Sequence, residues 1–127
     1  MTTNAEILVI EDDSIIREAV AEWLRGAGYS VRTAEDGNAG LACVNSAVPA
    51  LVVTDIYMPG KNGALVIAEL KRSHPQVPII AISGLFHSGF GMNTDEVVAL
   101  GADRALSKPF KRSELLGAVA ELLPSQS

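Results

Sequence analysis

The chain has 127 residues, 48% of them hydrophobic, and carries a formal net charge of −5. That length suits one domain with one core, and the apolar share excludes a disordered chain. The acidic balance disfavours contact with the phosphates of a nucleic acid, and no lysine- or arginine-rich run offsets it.

Short apolar runs alternate with longer helical patterns. Residues 7–10 predict a first strand. Ile16, Ala19, Val20, Trp23, Leu24 and Ala27 then recur at helical spacing and form one apolar stripe. Gly28 follows, suited to a left-handed helix end. Residues 29–33 read as a second strand. A helix over 36–47 follows, with Asp36 placed to cap it. Residues 51–54 form a third strand, and a helix runs from Gly63 to Ser73, where His74-Pro75 stops it. Strands are predicted at 78–82 and 104–107. The last helix spans 113–123, with Ser113 as its cap and Leu115, Leu116, Val119, Leu122 and Leu123 buried.

The third and fourth strands lack polar alternation, as strands covered on both faces do. Repeated strand–helix alternation predicts an α/β fold, a doubly wound parallel sheet with helices on both faces. Residues 1–127 are expected to be a single domain with its core over about 5–123. No apolar run approaches the about 18 residues of a membrane span, and no signal-peptide pattern opens the chain. Cys43 is the sole cysteine, so it has no intrachain partner, and it reads as a small buried residue rather than a reactive thiol. A soluble, cytoplasmic domain is expected.

Doubly wound sheets bind ligands beyond the carboxyl ends of their strands. Glu11, Asp12 and Asp13 follow the first strand, Asp55 ends the third, Ser83 the fourth and Lys108 the fifth. Adjacent acids past a buried strand repel one another, and a divalent cation relieves the repulsion. Oxygen-only ligands favour Mg²⁺. Consecutive acids also cap helix N-termini, and Asp13 is placed to do so. Asp55 precedes Met58-Pro59-Gly60 and reads either as a turn-former or as a nucleophile that forms an acyl phosphate. The second role needs a cation and donors for phosphoryl oxygens, which Ser83 and Lys108 offer.

Together, Glu11-Asp12, the stretch from Thr54-Asp55 through Met58-Pro59-Gly60 with Gly63, then Ser83 and Ser107-Lys108-Pro109-Phe110, resemble the receiver domain of bacterial response regulators. Their order and spacing carry the likeness, which extends from Ile7 to Leu123. The resemblance implies a flavodoxin-like (βα)5 sandwich with strand order 2-1-3-4-5. It implies a two-component phosphoacceptor rather than an enzyme, although one that assists its own phosphorylation and dephosphorylation. Asp55 takes the phosphoryl group. Asp12 and Asp55 ligate Mg²⁺ (or Mn²⁺), Glu11 acts through water, and the Tyr57 backbone carbonyl completes the protein ligands. Ser83 is the switch hydroxyl, and Lys108 pairs with the phosphoryl group. The Lys108–Pro109 bond is expected to be cis. A histidine kinase or phosphotransfer protein would be the donor. A downstream protein target would read the face of the fourth helix, fifth strand and fifth helix, without nucleic acid or membrane.

The chain also departs from the family. The usual aromatic three residues before the lysine is Ala105. The segment after Ser83 carries Gly84, Gly89 and Gly91, so the fourth helix is expected only over 94–100, ending at Gly101. Phe86, Phe90 and Met92 would then pack over Ala105 or face a partner, and this loop would replace the aromatic as the moving part. Tyr57 and Leu85 are bulky where the family tunes hydrolysis, which predicts slow self-dephosphorylation. His87 reads as a surface loop residue and His74 as structural.

Other readings fit less well. A haloacid dehalogenase-type phosphohydrolase needs an acid two residues past its nucleophile, where this chain has Tyr57. A flavin binder needs a phosphate loop where this chain has acids. A non-phosphorylated pseudo-receiver acting as a binding module remains the principal alternative.

Overall fold

The computed structural model describes residues 5–58, 63–84 and 93–123. Five strands alternate with five helices: β1 (Glu6–Ile10), α1 (Ser14–Gly26), β2 (Ser30–Ala34), α2 (Gly37–Ser46), β3 (Leu51–Asp55), α3 (Gly63–Ser73), β4 (Ile79–Ser83), α4 (Thr94–Leu100), β5 (Arg104–Ser107) and α5 (Arg112–Leu122). The strands form one parallel sheet of order β2-β1-β3-β4-β5, as expected.

Alternation along each strand divides the core into two layers. Ile7 and Val9 pack with Val20 and Leu24 of α1 and Leu115 and Val119 of α5. Leu8 and Ile10 face the other way, toward Val44, Val66, Leu70 and Val97 of α2, α3 and α4. The central strands β3 and β4 are buried at every position, which is why their sequences show no polar alternation.

Local chemistry sets the helix ends. The Asp13 side chain caps α1 by accepting from the Ile15 and Ile16 N–H groups. At the other end Gly28 adopts φ +99°. Gly28 N–H donates to the Arg25 carbonyl and Tyr29 N–H to the Leu24 carbonyl, a Schellman arrangement. Tyr29 is therefore spent on closing the helix, and β2 starts one residue later than the sequence suggested. Similarly, β4 starts at Ile79, because Pro78 has no N–H to give to the ladder.

Ser113 does not cap α5. The helix starts at Arg112, after Lys111, because Glu114 reaches back to accept the Lys111 N–H at 2.8 Å. That half of a capping box fixes the start ahead of Ser113. Helix α4 matches its predicted span, with Gly101 at φ +127°. The Lys108–Pro109 peptide is cis, as expected. Ala105 pairs with Ala81 and packs half-buried against the α3–α4 layer. The suggested packing of Phe86, Phe90 and Met92 over it lies outside the described residues, as do Leu85 and His87.

Gly63 fits the first turn of α3 onto the end of β3. Its N–H donates to the Ile56 carbonyl at 2.7 Å, and a Cβ there would stand 2.0 Å from the Asp55 carbonyl oxygen. Gly117, in contrast, is an exposed position in α5 with nothing within 4 Å of such a Cβ. Gly63→Ala should lower stability by about 1–3 kcal/mol through overpacking. Gly117→Ala should raise it by about 0.5–1 kcal/mol by restricting the unfolded chain and favouring helix. Denaturant midpoints test both, and equal effects at the two positions would refute the close-approach argument.

Candidate functional site

The carboxyl ends of β1, β3, β4 and β5 bring the sequence-marked residues to one edge of the sheet. Ile10 pairs with Thr54, Asp55 with Ile82 and Ser83 with Ser107. Glu11 extends β1 by one more ladder bond, donating its N–H to the Ala34 carbonyl at 3.0 Å. Lys108 does the same beyond β5, donating its N–H to the Ser83 carbonyl at 2.9 Å. Sheet register therefore sets where these four side chains start.

Carboxylate oxygens of Glu11, Asp12 and Asp55 lie within 4.8 Å of one another. Glu11 is fully buried, Asp55 is 5% exposed and Asp12 is exposed. The Lys108 ammonium bridges the two buried acids. Its Nζ is 2.7 Å from Asp55 Oδ2, as a hydrogen bond, and 2.7 Å from Glu11 Oε1. Glu11 Oε1 has this charge contact but no well-directed hydrogen bond. The remaining oxygens accept backbone donors: Glu11 Oε2 from Asp13 N–H and Asp55 Oδ1 from Tyr57 N–H, each at 3.2 Å.

One ammonium against three carboxylates leaves excess negative charge in a poorly solvated place. Burial is the largest cause that raises Glu11, and the nearby Asp55 carboxyl raises it further. Lys108 opposes both, and the result is a pKa of about 7. Burial alone would depress the Lys108 ammonium, but its bonds to Asp55 and Glu11 more than offset this and leave it raised. An oxygen-only set with a buried, poorly satisfied carboxylate oxygen and excess negative charge fits a hard divalent cation.

Ser83 is buried at the end of β4, and Tyr57 is 38% exposed at the mouth. Asp13 is occupied in capping α1 and stands apart from the acidic cluster. An apolar groove of about 430 Å³ adjoins the site between α1 and the segment after β5. Ile15, Ile16, Ala19, Trp23, Pro109 and Phe110 line it, and Lys108 forms part of its wall. Trp23 meets Phe110 edge to face, with centroids 6.3 Å apart, and Ile15 is 80% exposed beside them. Sequence reasoning placed Ile16, Ala19 and Trp23 in the helix core stripe and missed the groove, because its other wall comes from the distant Pro109-Phe110. It also missed Arg17, whose Nη1 donates to the Glu11 carbonyl at 2.9 Å; the available signal was a cation in the first turn of an acid-capped helix.

The Glu11 shift sets a pH dependence. Its folded pKa of about 7 exceeds the ordinary 4.5, so between these values the folded state binds more protons than the unfolded state. Stability of the metal-free protein must then fall as pH rises through that window, and level off above it. Glu11→Gln should remove this component and be the more stable form at about pH 8. Urea titrations across the window test it, and an unchanged slope in the variant would exclude Glu11 as the source.

The family model for the response regulator receiver domain matches residues 7–120. The DNA-binding transcriptional regulator NtrC of Salmonella typhimurium is 35% identical over 116 residues, covering 89% of this chain and 24% of that protein. The response regulator MprA of Mycolicibacterium vanbaalenii is 35% identical over 119 residues, covering 92% of this chain and 49% of that protein. The chain thus spans a quarter to a half of the length of these curated relatives. The crystal structure of the receiver domain of NtrX from Brucella abortus superposes with a TM-score of 0.86 at 34% identity, covering 94% of this chain and 98% of that one. With the acidic cluster and its lysine at the strand ends of a 2-1-3-4-5 sheet, these matches establish that the chain belongs to the response regulator receiver domain family.

Proposed function

We propose that this receiver domain accepts a phosphoryl group on Asp55 from a histidine kinase or phosphotransfer protein, in a reaction that depends on a divalent cation. The observation that carries this reading is the Lys108 ammonium held 2.7 Å from Asp55 Oδ2, on a nearly buried carboxylate within 4.8 Å of two more acids. A salt bridge built only for stability has no need of the additional acids, which are costly beside one another.

An Asp55 carboxylate oxygen forms the bond to phosphorus as the donor's phosphorus–nitrogen bond breaks, and the electron pair leaves with the imidazole. Lys108 then transfers its contact from the carboxylate to a phosphoryl oxygen, and the Ser83 hydroxyl donates to another. Glu11, Asp12, Asp55 and the Tyr57 backbone carbonyl would hold Mg²⁺ or Mn²⁺, which when bound supplies positive charge against the incoming phosphoryl group. A phosphodonor must approach at this mouth, where the apolar groove and exposed Ile15 offer it a surface. Output passes through the α4–β5–α5 face to a downstream protein. Exposed Val98 and Leu100 on α4 support that face, and the net charge of −5 favours protein over nucleic-acid partners.

Incubation with acetyl phosphate, with and without Mg²⁺, followed by intact mass, tests the reaction. A Mg²⁺-dependent gain of one phosphoryl group, lost in Asp55→Asn, is expected. No gain under any condition would leave a pseudo-receiver acting by binding alone. The docking surface is tested separately by Ile15→Glu. Acetyl phosphate labelling should remain at the wild-type rate, while transfer from a phosphorylated histidine kinase should slow by about tenfold, the size of one lost anchor contact. Equal rates with the kinase would place the donor elsewhere.

A further inference from the structure

We propose that Arg17 is a positioning residue for the cation site, fixing the Glu11–Asp12 peptide so that the Asp12 carboxylate stays with its two partners. The inference rests on reading the Glu11, Asp12 and Asp55 cluster as a cation site. Of these acids, Glu11 and Asp55 are buried and held by Lys108. Asp12 is exposed, and among the described residues its carboxylate has no hydrogen bond or ion pair of its own. Its place is therefore set by backbone alone.

That backbone is tied at each side. Glu11 N–H donates to the Ala34 carbonyl, and Asp13 caps α1 through its side chain. Between these anchors the Glu11–Asp12 peptide has one free carbonyl, and Arg17 Nη1 donates to it at 2.9 Å. Helix direction explains the reach. Side chains on an α-helix lean toward its N-terminus, so a long side chain in the first turn of α1 folds back over the loop that precedes it. Arg17 is half-buried there. A cation in that turn opposes the helix dipole, so helix stability does not explain it.

Two effects of Arg17 on cation binding have opposite signs, which makes the proposal decidable. Its positive charge repels a cation, so on charge alone removing it would tighten binding. Its hydrogen bond orients a ligand-bearing peptide, and loss of such an outer partner weakens metal binding by about 10–100-fold. The experiment is calorimetric titration of the intact chain with Mg²⁺ alone, for wild type, Arg17→Ala, Arg17→Lys and Arg25→Ala, with the thermal midpoint of each metal-free protein. Arg25→Ala removes the same charge from the same helix, away from the cluster.

The expected result is a Kd about tenfold or more weaker in Arg17→Ala, largely restored in Arg17→Lys, which keeps a donor of similar reach. Arg25→Ala should bind as wild type does. Unchanged or tighter binding by Arg17→Ala would overturn the proposal. So would a loss that Arg17→Lys does not restore, or one that Arg25→Ala shares. If wild type itself does not take up Mg²⁺, the cation-site reading fails first, and the two failures are thereby distinguished.

Discussion

The site depends on a single ammonium group shared by two buried carboxylates. Lys108 comes from the end of β5, Glu11 from the end of β1 and Asp55 from the end of β3, and their charged atoms meet at 2.7 Å. In sheet order, β3 and β4 lie between β1 and β5. The lysine therefore reaches across the carboxyl edge of the sheet, and its bonds hold the edge closed as much as they neutralise charge. Its bonds to Asp55 and Glu11 outweigh burial and raise its pKa, so the bridge is cationic in the neutral range.

The bridge is incomplete, and the incompleteness is informative. A single positive charge faces three acids, and the strain shows at Glu11, which burial first and then the neighbouring Asp55 carboxyl push up, and whose Oε1 has no well-directed hydrogen bond. A fold selected for stability alone would replace one acid with an apolar residue. The cost is instead retained beside well-ordered surroundings: β3 and β4 are buried throughout, Gly63 draws α3 onto the Asp55 backbone, and a Schellman motif closes α1. Such a scaffold tolerates local electrostatic strain at the carboxyl edge of its sheet because stability comes from the two apolar layers.

Much of this was legible in the sequence. The strand–helix alternation, Asp36 and Asp13 as caps, Gly28 and Gly101 as helix ends, and the residues gathered at the strand ends could all be read from local chemistry or from the family resemblance. The failures were of two kinds. Boundaries moved by one residue where a backbone donor was already committed, as with Tyr29, or missing, as with Pro78. Ser113 lost the cap because Glu114 reached back one turn. The second kind was tertiary. The groove between Trp23 and Phe110 and the bond from Arg17 to the Glu11 carbonyl join segments whose meeting no local pattern announces.

Ala105 marks where family likeness stops being enough. Its methyl group packs against the α3–α4 layer beside Ala81, and it has neither the bulk nor the torsional freedom of an aromatic ring that swings between two positions. On the proposed phosphoacceptor reading, a change at Asp55 would leave the site through atoms that do connect to it. Two such routes are visible in the fold. The Ser83 carbonyl is bonded to the Lys108 N–H, so displacement of Lys108 loads the junction of β4 and β5 directly. Lys108 also forms the wall of the groove where Phe110 meets Trp23, so the same displacement is felt on α1. Backbone coupling of this kind needs no aromatic side chain at position 105, and on the proposed reading it would tie the face where a donor docks to the face where output leaves through the Lys108 ammonium group.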